Sequence, residues 1–328
     1  MCLMLASAAT AQKALQVKAI TEVFGDGQQV TAVAVKYDKQ MDGKKLTPAM
    51  FSVDEIVPPQ LRPKGRTIPT DPVVEAREVA KVYTNDVPEM AAASKKGQYV
   101  ILELVKTYHY LPAFNPPGQR GGNDAKKDGK KDDMKKGDGN GGPIAGGRPK
   151  PAMPLRAKIL ESYKGVTKIA DFKAEVKQLK AVKAADGSKI APFSKVSDEV
   201  ENLIVDDFIQ KEYYDRLSGI KMIYNLFVPK NYDPTKKYPL VLFMPDATVT
   251  GMETTRTLTQ GIGATIWASP EEQAKHPCFV LAPDYTQQII NDDWETNEYM
   301  DATVNLIRDL QKEYSINANK MYTTGQSG

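Results

Sequence analysis

The chain closes on Lys320-Met321-Tyr322-Thr323-Thr324-Gly325-Gln326-Ser327-Gly328, a strand-forming run that breaks into Gly-x-Ser-Gly. No other feature limits the possible folds as much. A serine on a tight strand-to-helix turn needs glycines where a side chain would clash, and the turn lifts its hydroxyl above the edge of a sheet. The run is preceded by residues 298–314, where Met300, Val304, Ile307, Leu310 and Tyr314 recur at the three- and four-residue spacing of an amphipathic helix. Helix, strand and turn in this order predict a doubly wound, mostly parallel sheet with Ser327 at the C-terminal end of a strand, where such sheets bind ligands.

Gly-x-Ser-Gly alone is a common string. Its place directly after a helix and a strand makes Ser327 a candidate nucleophile, with the Gly328 N–H as one oxyanion donor. Upstream, residues 221–229, 238–245 and 278–283 read as further strands, the middle one continuous and apolar from Leu240 to Met244. A second oxyanion donor is expected from the loop that follows it, Pro245-Asp246-Ala247-Thr248. The N–H of Asp246 or Ala247 can serve, because Pro245 has none. Asp284, Asp292, Asp293 and Trp294 are read, like the Asp246 side chain, as solvated loop residues or helix caps.

A serine nucleophile needs a base within hydrogen-bond reach. The chain has two histidines, His109 and His276, both before the serine. Each is read as structural or solvated. Where the triad runs Ser, then acid, then His, both partners fall beyond residue 328. The chain is therefore expected to be the N-terminal part of an enzyme and inactive by itself.

Residues 12–204 have a different texture. Two β-branched runs, 14–24 and 30–37, flank Gly25-Asp26-Gly27, and further strands are expected at 51–56, 78–84, 99–106, 155–162 and 174–184. Short strands separated by Gly, Pro and Asp turns predict an all-β sandwich. Lys, Glu, Gln and Ala within 171–182 would also suit a short helix.

Residues 115–150 interrupt this domain with Gly, Lys and Asp and almost no apolar side chain, and are expected to form a disordered insert. Nine Lys or Arg against five Asp make the insert more basic than the whole chain, whose net charge is +3. The basicity is thus local and lacks interleaved aromatics, which argues against a nucleic-acid partner. Asp138-Gly139-Asn140-Gly141 hints at a calcium loop, but the register puts Lys136 and Gly147 at ligand positions. No cofactor or metal site is read.

Met1 to Ala11 combine a short apolar stretch with Ala9-Thr10-Ala11, a small-residue pattern resembling the end of a signal peptide, and predict a secreted or periplasmic protein. No segment has the length of apolar sequence that a membrane span requires. Cys278, beside Pro277 and Phe279-Val280-Leu281, is read as a buried strand residue and not as a nucleophile.

The string Tyr224-Asn225-Leu226-Phe227-Val228-Pro229-Lys230-Asn231-Tyr232-Asp233, followed by Tyr238-Pro239-Leu240-Val241-Leu242-Phe243, resembles the catalytic-domain entry of bacterial α/β-hydrolase esterases bearing an N-terminal immunoglobulin-like domain, relatives of feruloyl esterases and polyhydroxybutyrate-depolymerase-like enzymes. Gly261-Ile262-Gly263-Ala264, Trp267-Ala268, Glu271-Glu272-Gln273, His276-Pro277, Val280-Leu281-Ala282-Pro283 and 316–322 carry the same resemblance. It implies an α/β-hydrolase domain over 205–328 and a serine esterase acting on small or polysaccharide-linked esters. Two positions depart from the family pattern. Pro245-Asp246 stands where His-Gly is usual, and Gly328 where methionine commonly follows the serine. A peptidase on the same fold, or a glycan- or protein-binding module with a vestigial hydrolase portion, are the alternatives. No residue pattern sets the oligomeric state.

Overall fold

The computed structural model describes residues 14–58, 71–107, 171–250, 254–291, 293 and 295–326. The expected signal remnant is not among them; nor are the 115–150 insert, His109, the strand expected at 155–162, Asp292, Trp294, Ser327 and Gly328.

The N-terminal strands are β1 (Gln16–Phe24), β2 (Gly27–Lys36), β3 (Phe51–Val57), β4 (Val73–Arg77), β5 (Val79–Asn85), β6 (Tyr99–Leu104), β7 (Lys173–Gln178), β8 (Val182–Lys183), β9 (Lys189–Ile190), β10 (Phe193–Val196) and β11 (Glu199–Asn202). They form a five-stranded sheet, β11-β1-β2-β6-β5, and a four-stranded sheet, β10-β7-β3-β4, with β8 and β9 as a separate pair. Val17, Val33, Val35 and Val100 of the first sheet share one core with Phe51, Val53, Ala174 and Val176 of the second. This is the alternating inward pattern of a sandwich. Residues 173–178, where a helix was the alternative, form a strand because Ala174 and Val176 alternate into that core.

One irregularity has a consequence at β2. Its pairing with β1 shifts between Ile20 and Thr21, so Val30 faces Thr21 while Ala32 faces Ile20. The extra residue, Thr31, is why Val30 and Val33, three apart, enter the same core. The Val30 N–H at this bulge donates to Glu55 Oε1 at 2.8 Å. Glu55 is paired in turn with Arg77, and both side chains are 1% exposed.

The chain enters a third sheet after β11, through β12 (Ile209–Tyr214), β13 (Lys221–Phe227), β14 (Tyr238–Met244), β15 (Phe279–Asp284) and β16 (Ile316–Gly325). Four helices interrupt these strands: α1 (Arg256–Thr259), α2 (Thr265–Ala268), α3 (Pro270–Lys275) and α4 (Glu298–Glu313). The strand order is β12-β13-β15-β14-β16. The β14–β15 and β14–β16 ladders are parallel, while β12–β13 and β13–β15 are antiparallel. The expected mostly parallel sheet is therefore mixed among the described residues, because β12 and β13 form an entry hairpin before the helical crossovers begin.

The sheet has apolar side chains on both faces, as crossover strands require. Leu240, Leu242, Phe279 and Leu281 pack with Tyr299, Leu306 and Leu310 of α4 on one side. On the other, Val241, Phe243, Val280 and Ala282 meet Leu258, Ala264 and Ala268. Helix α4 begins at Asn297, whose side chain accepts from the Tyr299 N–H. Its buried face is Tyr299, Ala302, Thr303, Leu306 and Leu310; Val304, expected inside, is exposed. The helix carries two overlapping apolar stripes, and the bond between the Tyr285 and Thr303 hydroxyls, 3.1 Å apart, lies on the buried one.

Candidate active site

The parallel strands β14 and β16 run together to their C-terminal ends, pairing Phe243 with Thr324 and Met244 with Gly325. The Gln326 N–H then donates to the Met244 carbonyl at 3.1 Å. Gly325 suits this close approach, since a Cβ there would stand 3.1 Å from the same carbonyl oxygen. The backbone is thus held to the sheet up to Gln326, one residue before the candidate nucleophile.

The candidate oxyanion loop leaves the neighbouring strand end. Pro245 is followed by a short 3-10 turn, Ala247–Val249, in which the Val249 N–H donates to the Asp246 carbonyl at 3.1 Å. Thr250 Oγ1 donates to the Ala247 carbonyl at 2.8 Å, drawing the turn closed. Of the two N–H groups singled out in the sequence, that of Asp246 donates to Gln260 Oε1 at 3.1 Å. Ala247 is buried and borders a pocket of about 190 Å³. Met244, Tyr285, Ile289, Met300 and Gln326 also line it, so the two strand ends and the loop before α4 share one apolar cavity. Burial pushes the Tyr285 phenol up to about 12, so it is protonated at neutral pH and is no base.

The other polar candidates lie elsewhere. His276 follows α3 at the N-terminal end of β15, with Nδ1 3.4 Å from the Glu272 carboxylate and its side chain 70% exposed. That hydrogen bond is the main cause holding the Glu272 carboxyl below its ordinary value. Since β15 and β16 both run parallel to β14, His276 is at the opposite end of the sheet from Gln326, about 20 Å away at ~3.3 Å per residue over the six residues of β15. Asp284, expected on a loop, ends β15 and is buried, whereas Asp293 is exposed. Cys278 is buried. Among the described residues, no three His, Cys, Asp or Glu side chains gather to hold a metal, and no helix is long and apolar enough to cross a membrane.

Sequence reasoning missed Gln260 as a partner of the oxyanion loop. It stands at the end of α1, which Asn225 anchors from β13: the buried amide donates to the Thr254 carbonyl at 2.9 Å and to Thr257 Oγ1 at 2.8 Å. A usable signal was Gly263, where a Cβ would stand 2.2 Å from Cε2 of the buried Phe243 ring. Such a glycine marks a segment pressed onto β14.

Comparison with known families finds that residues 16–191 match the esterase Ig-like N-terminal domain. The chain belongs to this family. The matched residues include the nine strands from β1 to β9, so the family domain covers the sandwich except its edge strands β10 and β11. Among solved structures, a thermostable esterase is 27% identical with a TM-score of 0.69, over 95% of this chain and 70% of its own length. That likeness continues past the family domain through the third sheet. A ferulic acid esterase from Anaeromyces mucronatus is 23% identical over 37% of this chain and 48% of its own, with a TM-score of 0.23, too little shared geometry to argue from. A search of curated proteins finds no match.

Proposed function

We propose that this protein is a carboxylic-ester hydrolase in which Ser327, on an α/β-hydrolase scaffold, attacks the ester carbonyl. One observation carries the reading. Strand β16 stays bonded to β14 as far as Gln326, which lines an apolar pocket at the C-terminal end of the parallel ladder together with Ala247 of the candidate oxyanion loop, and Ser327 is the next residue in the sequence. A nucleophile delivered there meets a carbonyl whose apolar substituent fills the pocket, and backbone N–H groups of Gly328 and Ala247 take up the charge that develops on its oxygen. The pocket, about 190 Å³ and lined mainly by apolar side chains, suits one small acyl or aryl group. The substrate is accordingly a small ester, free or carried on a polysaccharide.

The reading assigns the acid and the base to residues that follow Gly328 in the gene. His276 faces solvent at the far end of the sheet, and the order Ser, acid, His is the one such scaffolds use. The similar thermostable esterase extends beyond the part this chain covers. Export to the periplasm or medium is part of the same proposal and rests on Ala9-Thr10-Ala11.

The test is kinetic. The gene is expressed to its natural stop and assayed on p-nitrophenyl acetate, p-nitrophenyl butyrate and methyl ferulate, with Ser327→Ala as control. The expected result is turnover that falls by several orders of magnitude in the alanine variant. Equal turnover by both proteins would rule Ser327 out. The 328-residue chain alone is expected to turn over none of the three.

A further inference from the structure

Residues 259–261 touch three things at once. The Gln260 side chain accepts the Asp246 N–H of the oxyanion loop at 3.1 Å, while its own amide donates to the Thr257 carbonyl at 3.3 Å, one turn back in α1. Gly261 is so close to its surroundings that a Cβ would lie 3.3 Å from Gln326 Oε1, of the residue that precedes Ser327 in sequence, and 3.4 Å from the Gly25 carbonyl at the tip of the β1–β2 hairpin of the Ig-like domain. At Gly27, whose φ of +119° favours glycine, a Cβ would lie 3.9 Å from the Thr259 carbonyl. Val23 of the same hairpin packs into the cluster of Leu258 and Phe243. The tip is itself held: the Lys106 ammonium sits 4.7 Å over the Phe24 ring and 3.8 Å from the Glu22 carboxylate.

We propose that Gln260 is a positioning residue for ester hydrolysis, setting the oxyanion loop from a seat provided by the hairpin of the Ig-like domain. The inference rests on the reading of Ser327 as nucleophile. With the Asp246 N–H committed to Gln260, the Ala247 N–H is the donor from this loop that meets the oxyanion. The turn bearing Ala247 is fixed in sequence by Asn225, α1 and Gln260, each bonded to the next. The hairpin closes the open side of this chain of contacts, so an edge of the accessory domain supports the catalytic geometry without touching substrate. Placement of this kind acts on the transition state, where the oxygen is charged, more than on substrate binding.

The experiment uses the enzyme expressed to its natural stop. Gln260→Met keeps the length of the side chain and removes the acceptor. Gly261→Ala keeps Gln260 and pushes the hairpin and the Gln326 side chain back by a few tenths of an ångström. Active sites are titrated with a fluorophosphonate, so that kcat is expressed per reactive serine and a loss of folded protein is not mistaken for a loss of rate. Gln260→Met is expected to lower kcat per titrated site roughly tenfold, the equivalent of one positioned hydrogen bond, with KM within about twofold. Gly261→Ala is expected to lower it roughly threefold, again at nearly constant KM. Amide exchange at Asp246 should quicken in Gln260→Met. An unchanged kcat per titrated site in both variants, or a loss that appears only as fewer titratable sites, overturns the proposal. A wild-type enzyme without ester turnover, or one that Ser327→Ala leaves active, overturns the esterase reading and this proposal with it.

Discussion

Arg77→Met should reveal what the buried ion pair does for the sandwich. In the native domain the Glu55 and Arg77 side chains are each 1% exposed. Glu55 also accepts the Val30 N–H at 2.8 Å, and Arg77 Nη2 donates to the Val105 carbonyl at 2.9 Å. The methionine leaves a carboxylate in the core with one N–H for company. Breaking such a pair from one side costs about 3–5 kcal/mol. The Arg77 Nε–H finds no acceptor among the described residues, so the native pair is imperfectly satisfied and the lower end, about 3 kcal/mol, is expected. With a urea m-value of about 2 kcal/mol/M, the unfolding midpoint falls by roughly 1.5 M.

Adding Glu55→Gln to Arg77→Met tests the cause. The double variant keeps an acceptor for the Val30 N–H but buries no charge, so its remaining cost is an unpaired amide and a lost bond, about 1–3 kcal/mol. The second substitution should therefore restore part of the midpoint. Urea denaturation followed by near-UV circular dichroism reads all three proteins. A single variant within about 0.3 M of wild type, or a double variant less stable than the single, would refute the argument that an uncompensated charge dominates.

Gly263→Ala should destabilise the third sheet by about 1–3 kcal/mol, since its Cβ would stand 2.2 Å from the Phe243 ring, whereas Gly25→Ala, with nothing within 4 Å, should leave the urea midpoint unchanged. Asp215 is buried and accepts from the Ser218 hydroxyl at 2.6 Å and from Asn305 at 3.1 Å, and the Ser218 bond is the main cause of its lowered pKa. A depressed carboxylate stabilises the fold fully above its unfolded pKa of about 3.9 and loses that contribution as pH falls through the folded value. Asp215→Asn should consequently lower stability at pH 7 and flatten its decline below pH 4, as read from urea midpoints across pH. Burial raises the Cys278 thiol pKa, so iodoacetamide should label it slowly in the native protein and fully in urea, measured by peptide mass spectrometry.

The strands were legible wherever alternation or a continuous apolar run was unambiguous. Val33, Val35, Val53 and Val176 point to one core at period two, and Leu240 to Met244 of β14 and Phe279 to Pro283 of β15 are continuously apolar because both faces of these strands are covered. What escaped depends on relations between distant segments. The antiparallel entry of β12 and β13 has no local signature distinguishing it from a parallel strand. The buried stripe of α4 lies one residue from the stripe that periodicity selected, because Tyr299 and Leu306 compete with Met300 and Ile307 and tertiary packing decides. Gln260 carries no motif. Its role arises from a bond across 14 residues to Asp246, which only the folded arrangement of α1 against β14 brings about.

The most direct test of Ser327 as the nucleophile is covalent. The enzyme expressed to its natural stop is treated with a fluorophosphonate and digested, and the modified peptide is sequenced by mass spectrometry. The account predicts one phosphonyl group per chain, on Ser327 of the peptide following Lys320, and none in Ser327→Ala. An adduct on another residue, or equal labelling of the alanine variant, would contradict it.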